Sequence, residues 1–169
     1  YDGQKVLFSY RRGGTHHYNL YEIDLDGSNL TQLTAGDWDD VEPAYLPDGG
    51  ICFVSTRCER GILCDGPDVL TTTTVYRMDG DGGNMQLLSQ SPVSEASASM
   101  LHDGRILYTR WEYVDKADVV IKCLWAMRPD GSGSVEIFGN DITFPDTMLH
   151  GRAMLAHDPE VGLCLRAGR

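Results

Sequence analysis

Apolar and polar positions alternate along this chain in short runs, and tight-turn signals separate the runs. Lys5-Val6-Leu7-Phe8-Ser9-Tyr10 puts Val6, Phe8 and Tyr10 on one face of a strand. Residues 20–24 (LYEID) form the next run, pass through Asp26-Gly27-Ser28-Asn29, and residues 30–33 return. Residues 42–46 then lead through Pro47-Asp48-Gly49-Gly50 into residues 51–56. Asp-Gly supplies the positive φ angles that hairpin turns require. The pattern starts again at residues 75–79 (VYRMD), which match 20–24. Residues 97–101, the turn His102-Asp103-Gly104-Arg105 and residues 106–110 match positions 42 through 57. A third copy opens at Leu124-Trp125-Ala126-Met127 with its turn at Pro129-Asp130-Gly131. In this alignment Tyr21, Tyr76 and Trp125 share one position, and Ile23, Met78 and Met127 another.

The Asp-Gly turns at 26 and 48, and those at 81 and 103, are each 22 positions apart. Repeated units of short strands joined by tight turns predict an all-β array of the β-propeller kind, with four-stranded antiparallel blades. The chain holds about three of them: a partial propeller over 1–157, with blades near 1–47, 48–102 and 103–157, and 158–169 as a truncated continuation. Two longer insertions, Cys58 to Thr74 and Trp111 to Lys122, follow the same strand of successive units and are expected on one face. A propeller closes with four blades or more. The chain is therefore expected to be a piece of a longer protein.

Composition narrows the function classes. Gly (19) and Pro (7) suit a turn-rich β protein. A formal charge of −11 disfavours nucleic acid and anionic membrane surfaces as partners, and no run of 18 apolar residues suggests membrane insertion. Of the five cysteines, Cys52 and Cys123 lie in apolar strand patterns and read as buried small hydrophobes. Cys58 and Cys64 flank a short polar loop. A disulfide between them would close it, contribute about 2 kcal/mol, and place the protein outside the cytosol. Two free thiols, or half of a zinc site, are the alternatives, and no C-x-x-C pair exists to favour zinc.

Candidate chemistry is sparse. Residues 24–29 and 79–84 both read D-x-D-G-x-N, the front half of a calcium loop, but Leu33 and Leu88 stand where the bidentate acid belongs. Plain hairpin turns account for both. His16, His17, His102, His150 and His157 are scattered without ligand spacing, so no metal site is expected. There is no G-x-S-x-G, H-E-x-x-H, P-loop or C-x-x-C-H, so no catalytic residue and no cofactor is assigned to this segment. The best recognition candidates are the loops Cys58 to Asp68 and Arg110 to Asp115, with Arg57, Arg110, Trp111, Glu112, Tyr113 and Asp115 as binding residues. The same residues also fit a blade-edge cover in which Arg110 pairs with Glu112 or Asp115.

YEIDLDGSNLTQLT, EPAYLPDGGICFVSTR and YRMDGDGGNMQLLS resemble the WD40-like repeats of TolB-type propellers. VEPAYLPDG, FVSTRC with a second cysteine shortly after, and ILYTRWEYVD are similar to the propeller domain of hydrazine synthase alpha-subunit-like proteins. The resemblance covers most of residues 1–140 and fades beyond Gly139. It implies a periplasmic or extracellular bacterial protein, with c-type haem in other domains of some members. The resulting expectation is a non-catalytic binding or scaffolding segment that holds a partner protein, or an adjacent domain of its own chain, through loops on one face. Two alternatives stay open: the propeller part of a haem-containing redox enzyme subunit, and the lid propeller of a serine peptidase.

Overall fold

A computed structural model describes residues 3–61, 72–112, 122–139, 147–153 and 163–167, the last of these as backbone. The described residues form thirteen strands and no helix. The first sheet joins β1 (Lys5–Tyr10), β2 (Asn19–Asp24) and β3 (Thr31–Gln32). The second runs β4 (Asp40–Tyr45), β5 (Ile51–Ser55), β6 (Thr74–Met78) and β7 (Gln86–Leu87). The third repeats it with β8 (Glu95–Met100), β9 (Ile106–Trp111), β10 (Lys122–Met127) and β11 (Val135–Phe138). A fourth pairs β12 (Met148–Ala153) with β13 (Leu163–Ala167). Neighbours within each sheet are antiparallel.

The sheet boundaries differ from the sequence units. A unit edge near 47/48 would cut the Asp48-Gly49 hairpin, yet β4 and β5 on either side of it pair in one sheet, Tyr45 against Ile51. A turn this short joins adjacent strands of the same sheet. The breaks fall instead in the longer connections 33–39 and 88–94, so the blades run 40–87 and 95–138.

The sheets stack face to face, which explains the nearly continuous apolar runs. In β5, Ile51 and Phe53 pack toward the first sheet with Leu20, Tyr76 and Met78. Cys52 and Val54 point the other way, into a core with Ala98, Ile106, Tyr108 and Met127 of the third. Leu107 and Leu124 of the third sheet meet Met148 of the fourth. Every middle sheet is thus buried on both faces. The aromatic column recurs in register: Tyr21 opposes Phe8, Tyr76 opposes Phe53, and Trp125 opposes Tyr108.

The Asp-Gly turns behave as hairpins. In both D-x-D-G-x-N segments the closing asparagine (Asn29, Asn84) adopts positive φ and donates its side-chain amide to the first aspartate, Asp24 or Asp79. Asp26 and Asp81 accept the backbone N–H two residues on. One oxygen of each aspartate is thus engaged inside the turn. Gly82 and Gly131 have a second reason to be glycine. Each turn rests on the carbonyl oxygen of the residue just past the preceding sheet, Leu33 and Leu88, and a Cβ at Gly131 would lie 2.7 Å from the latter.

Candidate ligand-binding face

In an up-and-down sheet, successive connections lie at opposite ends. The Asp-Gly turns at 26, 48, 81, 103 and 130 therefore share one end, and the connections 11–18, 33–39 and 88–94, with the described residues 56–61 and 72–73, share the other. At that second end a cavity of about 720 Å³ opens between the first two sheets. Its walls include His17, Tyr18, Asp37, Trp38, Asp39 and Glu59.

The wall is built from a buried ion pair upward. Asp40, the first residue of β4, is completely buried. Its carboxylate accepts two parallel bonds from Arg57, Nε to Oδ1 at 2.9 Å and Nη2 to Oδ2 at 2.7 Å, and a third from Ser55 Oγ at 2.6 Å. Arg57 Nη2 also donates to Ala35 O at 2.9 Å. Held this way, the guanidinium lies 4.7 Å over the Trp38 ring, and Trp38 Nε1–H donates to Glu59 Oε1 at 2.9 Å. Asp39 is fixed from both sides: its Oδ1 accepts Tyr18 N–H at 2.8 Å and its N–H donates to Thr56 Oγ1 at 2.9 Å. His17 Nδ1 stands 3.7 Å from Asp39 Oδ1, buried and without a hydrogen-bond partner. The result is a rigid aromatic wall flanked by the carboxylates of Asp37, Asp39 and Glu59. It can hold a group by shape and charge.

Only part of the sequence-derived candidate set reaches this site. Arg57 lies beneath the cavity wall as the support of Trp38. Arg110, in β9, makes a second stack of the same kind, 4.6 Å over Trp125, whose Nε1–H donates to Glu112 Oε1 at 2.7 Å. Arg110 Nε is 3.8 Å from that same oxygen. Trp111 closes β9, its N–H donating to Ser94 O at 2.9 Å. Tyr113 and Asp115 lie outside the described residues, as does Cys64. The candidate Cys58–Cys64 pair thus falls partly outside the described residues; Cys58 Sγ donates to Thr72 O at 3.1 Å. Cys52 and Cys123 are buried as read, and burial pushes the Cys52 thiol up to about 12.

A second constellation escaped sequence reasoning. The innermost strands β4, β8 and β12 each carry a bulge, between Val41 and Ala44, Ala96 and Ser99, and Leu149 and Arg152. Within each bulge one non-glycine residue has positive φ: Glu42 (52°), Ser97 (58°) and His150 (54°). These three meet. Glu42 Oε2 accepts Ser97 N–H, Ser97 Oγ is 3.4 Å from His150 Nδ1, and Glu42 Oε1 is 4.0 Å from the same nitrogen. Backbone strain of this sort concentrates at functional positions. A nucleophile relay needs acid and hydroxyl on opposite ring nitrogens, whereas here both approach one. Nothing in residue spacing announces the cluster. A repeated bulge is a backbone property, and the three side chains share no chemistry.

These sheets are consecutive blades of a β-propeller, with the fold of TolB-type propellers. No protein-family model matches the chain. Among solved structures it is similar to hydrazine synthase from Kuenenia stuttgartiensis (17% identity, TM-score 0.76, covering 90% of this chain and 26% of that one). It is also similar to a protein assigned as TolB from Agrobacterium tumefaciens (21%, 0.64, 81% and 46%) and to puromycin hydrolase (14%, 0.58, 88% and 22%). Likeness at these identities shows the fold. The chain spans less than half the length of each. Among the described residues no helix is long and apolar enough to cross a membrane.

Proposed function

We propose that this chain is a non-catalytic binding and scaffolding segment of an extracytoplasmic, TolB-like β-propeller. A partner protein, or an adjacent domain of the same polypeptide, docks on its loop end. The observation that carries this reading is the cavity whose Trp38 wall is held by Arg57 and Glu59, at the end opposite the Asp-Gly turns. Preorganised aromatic walls of this kind lose little entropy on binding. The Glu42–Ser97–His150 geometry supports the non-catalytic part. The likeness to hydrazine synthase favours a second reading, the propeller part of a haem-bearing redox subunit. No residue of this chain fits covalent haem attachment, since C-x-x-C-H is absent, so any haem belongs to other domains.

The test is site-specific photo-crosslinking of the full-length protein in its native host. Benzoylphenylalanine is placed at Asp37 or Glu59 on the loop end, and at Asp26 or Asp103 on the turn end. Discrete adducts, mapped by peptide mass spectrometry, are expected from the loop end alone. Adducts from the turn end alone, or from neither end, overturn the reading.

A further inference from the structure

We propose that the cleft between the second and third sheets is a binding site for a small carboxylate ligand, gripped by Arg110. The cleft has a volume of about 350 Å³, and Ser89, Gln90, Ser91, Arg110, Gly131 and Ser134 contribute to its lining. Stacking on Trp125 fixes the plane of the Arg110 guanidinium but satisfies none of its N–H groups. Its Nε is buried and has no hydrogen-bond acceptor. A charged donor left this way is costly.

Two carboxylates stand close, and neither fills the gap. Glu112 Oε1 is beyond hydrogen-bond range at 3.8 Å and already accepts Trp125 Nε1–H. Glu95, the cross-strand partner of Arg110, is fully buried. It spends Oε1 on Ser89 Oγ–H at 2.6 Å and Oε2 on Val75 N–H at 3.1 Å.

Arg57 shows what the arrangement lacks. It too lies on a tryptophan whose Nε1–H is held by a glutamate. There, however, the Nε–Nη2 edge is filled by both oxygens of Asp40. At Arg110 the Nε edge is enclosed, so a ligand carboxylate in the cleft meets the outer Nη1–Nη2 edge of the side chain, which is 24% exposed, and planar fork-to-fork pairing selects that group. Further donors lie nearby. Ser91 Oγ accepts Val93 N–H at 3.3 Å and keeps its own proton to give. Gln90 Oε1 is occupied by Arg60, which leaves the Gln90 amide N–H₂ to donate.

The test is isothermal titration calorimetry of the full-length protein with sodium succinate and sodium acetate, against sodium chloride at equal ionic strength. Saturable binding of at least one carboxylate is expected, with none for chloride. Arg110→Lys keeps the charge but not the fork and is expected to weaken binding at least tenfold, on the order of one ion-pair hydrogen bond. Arg110→Gln is expected to abolish it. Glu112→Gln retains an acceptor for Trp125 while removing the competing charge, and is expected to tighten binding severalfold. Circular dichroism confirms that each variant is folded. Should Arg110→Gln fail to fold, the lysine and Glu112 variants decide. Absence of saturable carboxylate binding, or unchanged affinity in Arg110→Lys, overturns the proposal.

Discussion

Replacing Asp40 by asparagine removes one charge from beneath the Trp38 wall and changes almost no volume. The wild-type carboxylate is fully buried and accepts three hydrogen bonds, two of them from a guanidinium whose side chain is 15% exposed. An amide offers one acceptor oxygen and turns an N–H₂ group toward donors. Arg57 is then a buried cation without its counter-charge. Breaking one side of such a pair costs about 3–5 kcal/mol, which corresponds to a roughly 100- to 5,000-fold rise in the opening equilibrium of the surrounding segment. Hydrogen exchange read by mass spectrometry on peptides covering residues 35–45 and 51–57 of the full-length protein measures this directly. Protection there is expected to fall by that factor, while peptides across β9 and β10 change little. Arg57→Lys keeps the charge, loses the second bond, and is expected to fall in between. If Asp40→Asn leaves protection within tenfold of wild type, the carboxylate does not hold the cavity wall and the reasoning fails.

Two further expectations follow from the turns. Asp26, Asp103 and Asp130 are held below the usual carboxylate range chiefly by side-chain bonds from Ser28, Arg105 and Ser132, and Asp48 chiefly by the Gly50 N–H. Their contribution is complete above the unfolded value near about 4 and is lost as pH falls through the lower folded values, so melting temperature should drop on acidification and a quadruple Asp→Asn variant should flatten that limb. Burial raises Glu95 instead, so its contribution is complete below its unfolded value and is lost as pH rises through the folded one; Glu95→Gln should remove that small decline. Gly104→Ala, at φ +85° with open space around it, should cost about 1–2 kcal/mol for the left-handed backbone. Gly82→Ala should cost at least about 1 kcal/mol more because its Cβ meets the Leu33 carbonyl; equal denaturant midpoints for the two variants would refute the packing argument.

Strand positions were legible because two local signals agreed. Asp-Gly punctuated the chain, and alternate residues such as Ile51 and Phe53 against Cys52 and Val54 fell on opposite faces, each with its own neighbouring sheet. The aromatic column at Tyr21, Tyr76 and Trp125 was readable for the same reason. Blade membership was not, because hairpin arms and blade edges look alike until long-range pairing is known. The cavity was invisible in the sequence. Trp38, His17 and Glu59 come from three separate connections, and Arg57 attracted notice for an outward role when its partner was the buried Asp40.

The kink that turns Glu42, Ser97 and His150 into the left-handed region is laid down by strand pairing, and it recurs whatever residue occupies it. Acid, alcohol and imidazole are therefore interchangeable fittings in one kind of socket. Evolution, or a protein engineer, can rewrite the chemistry along the hub of this wheel one spoke at a time, with the rim left as it is.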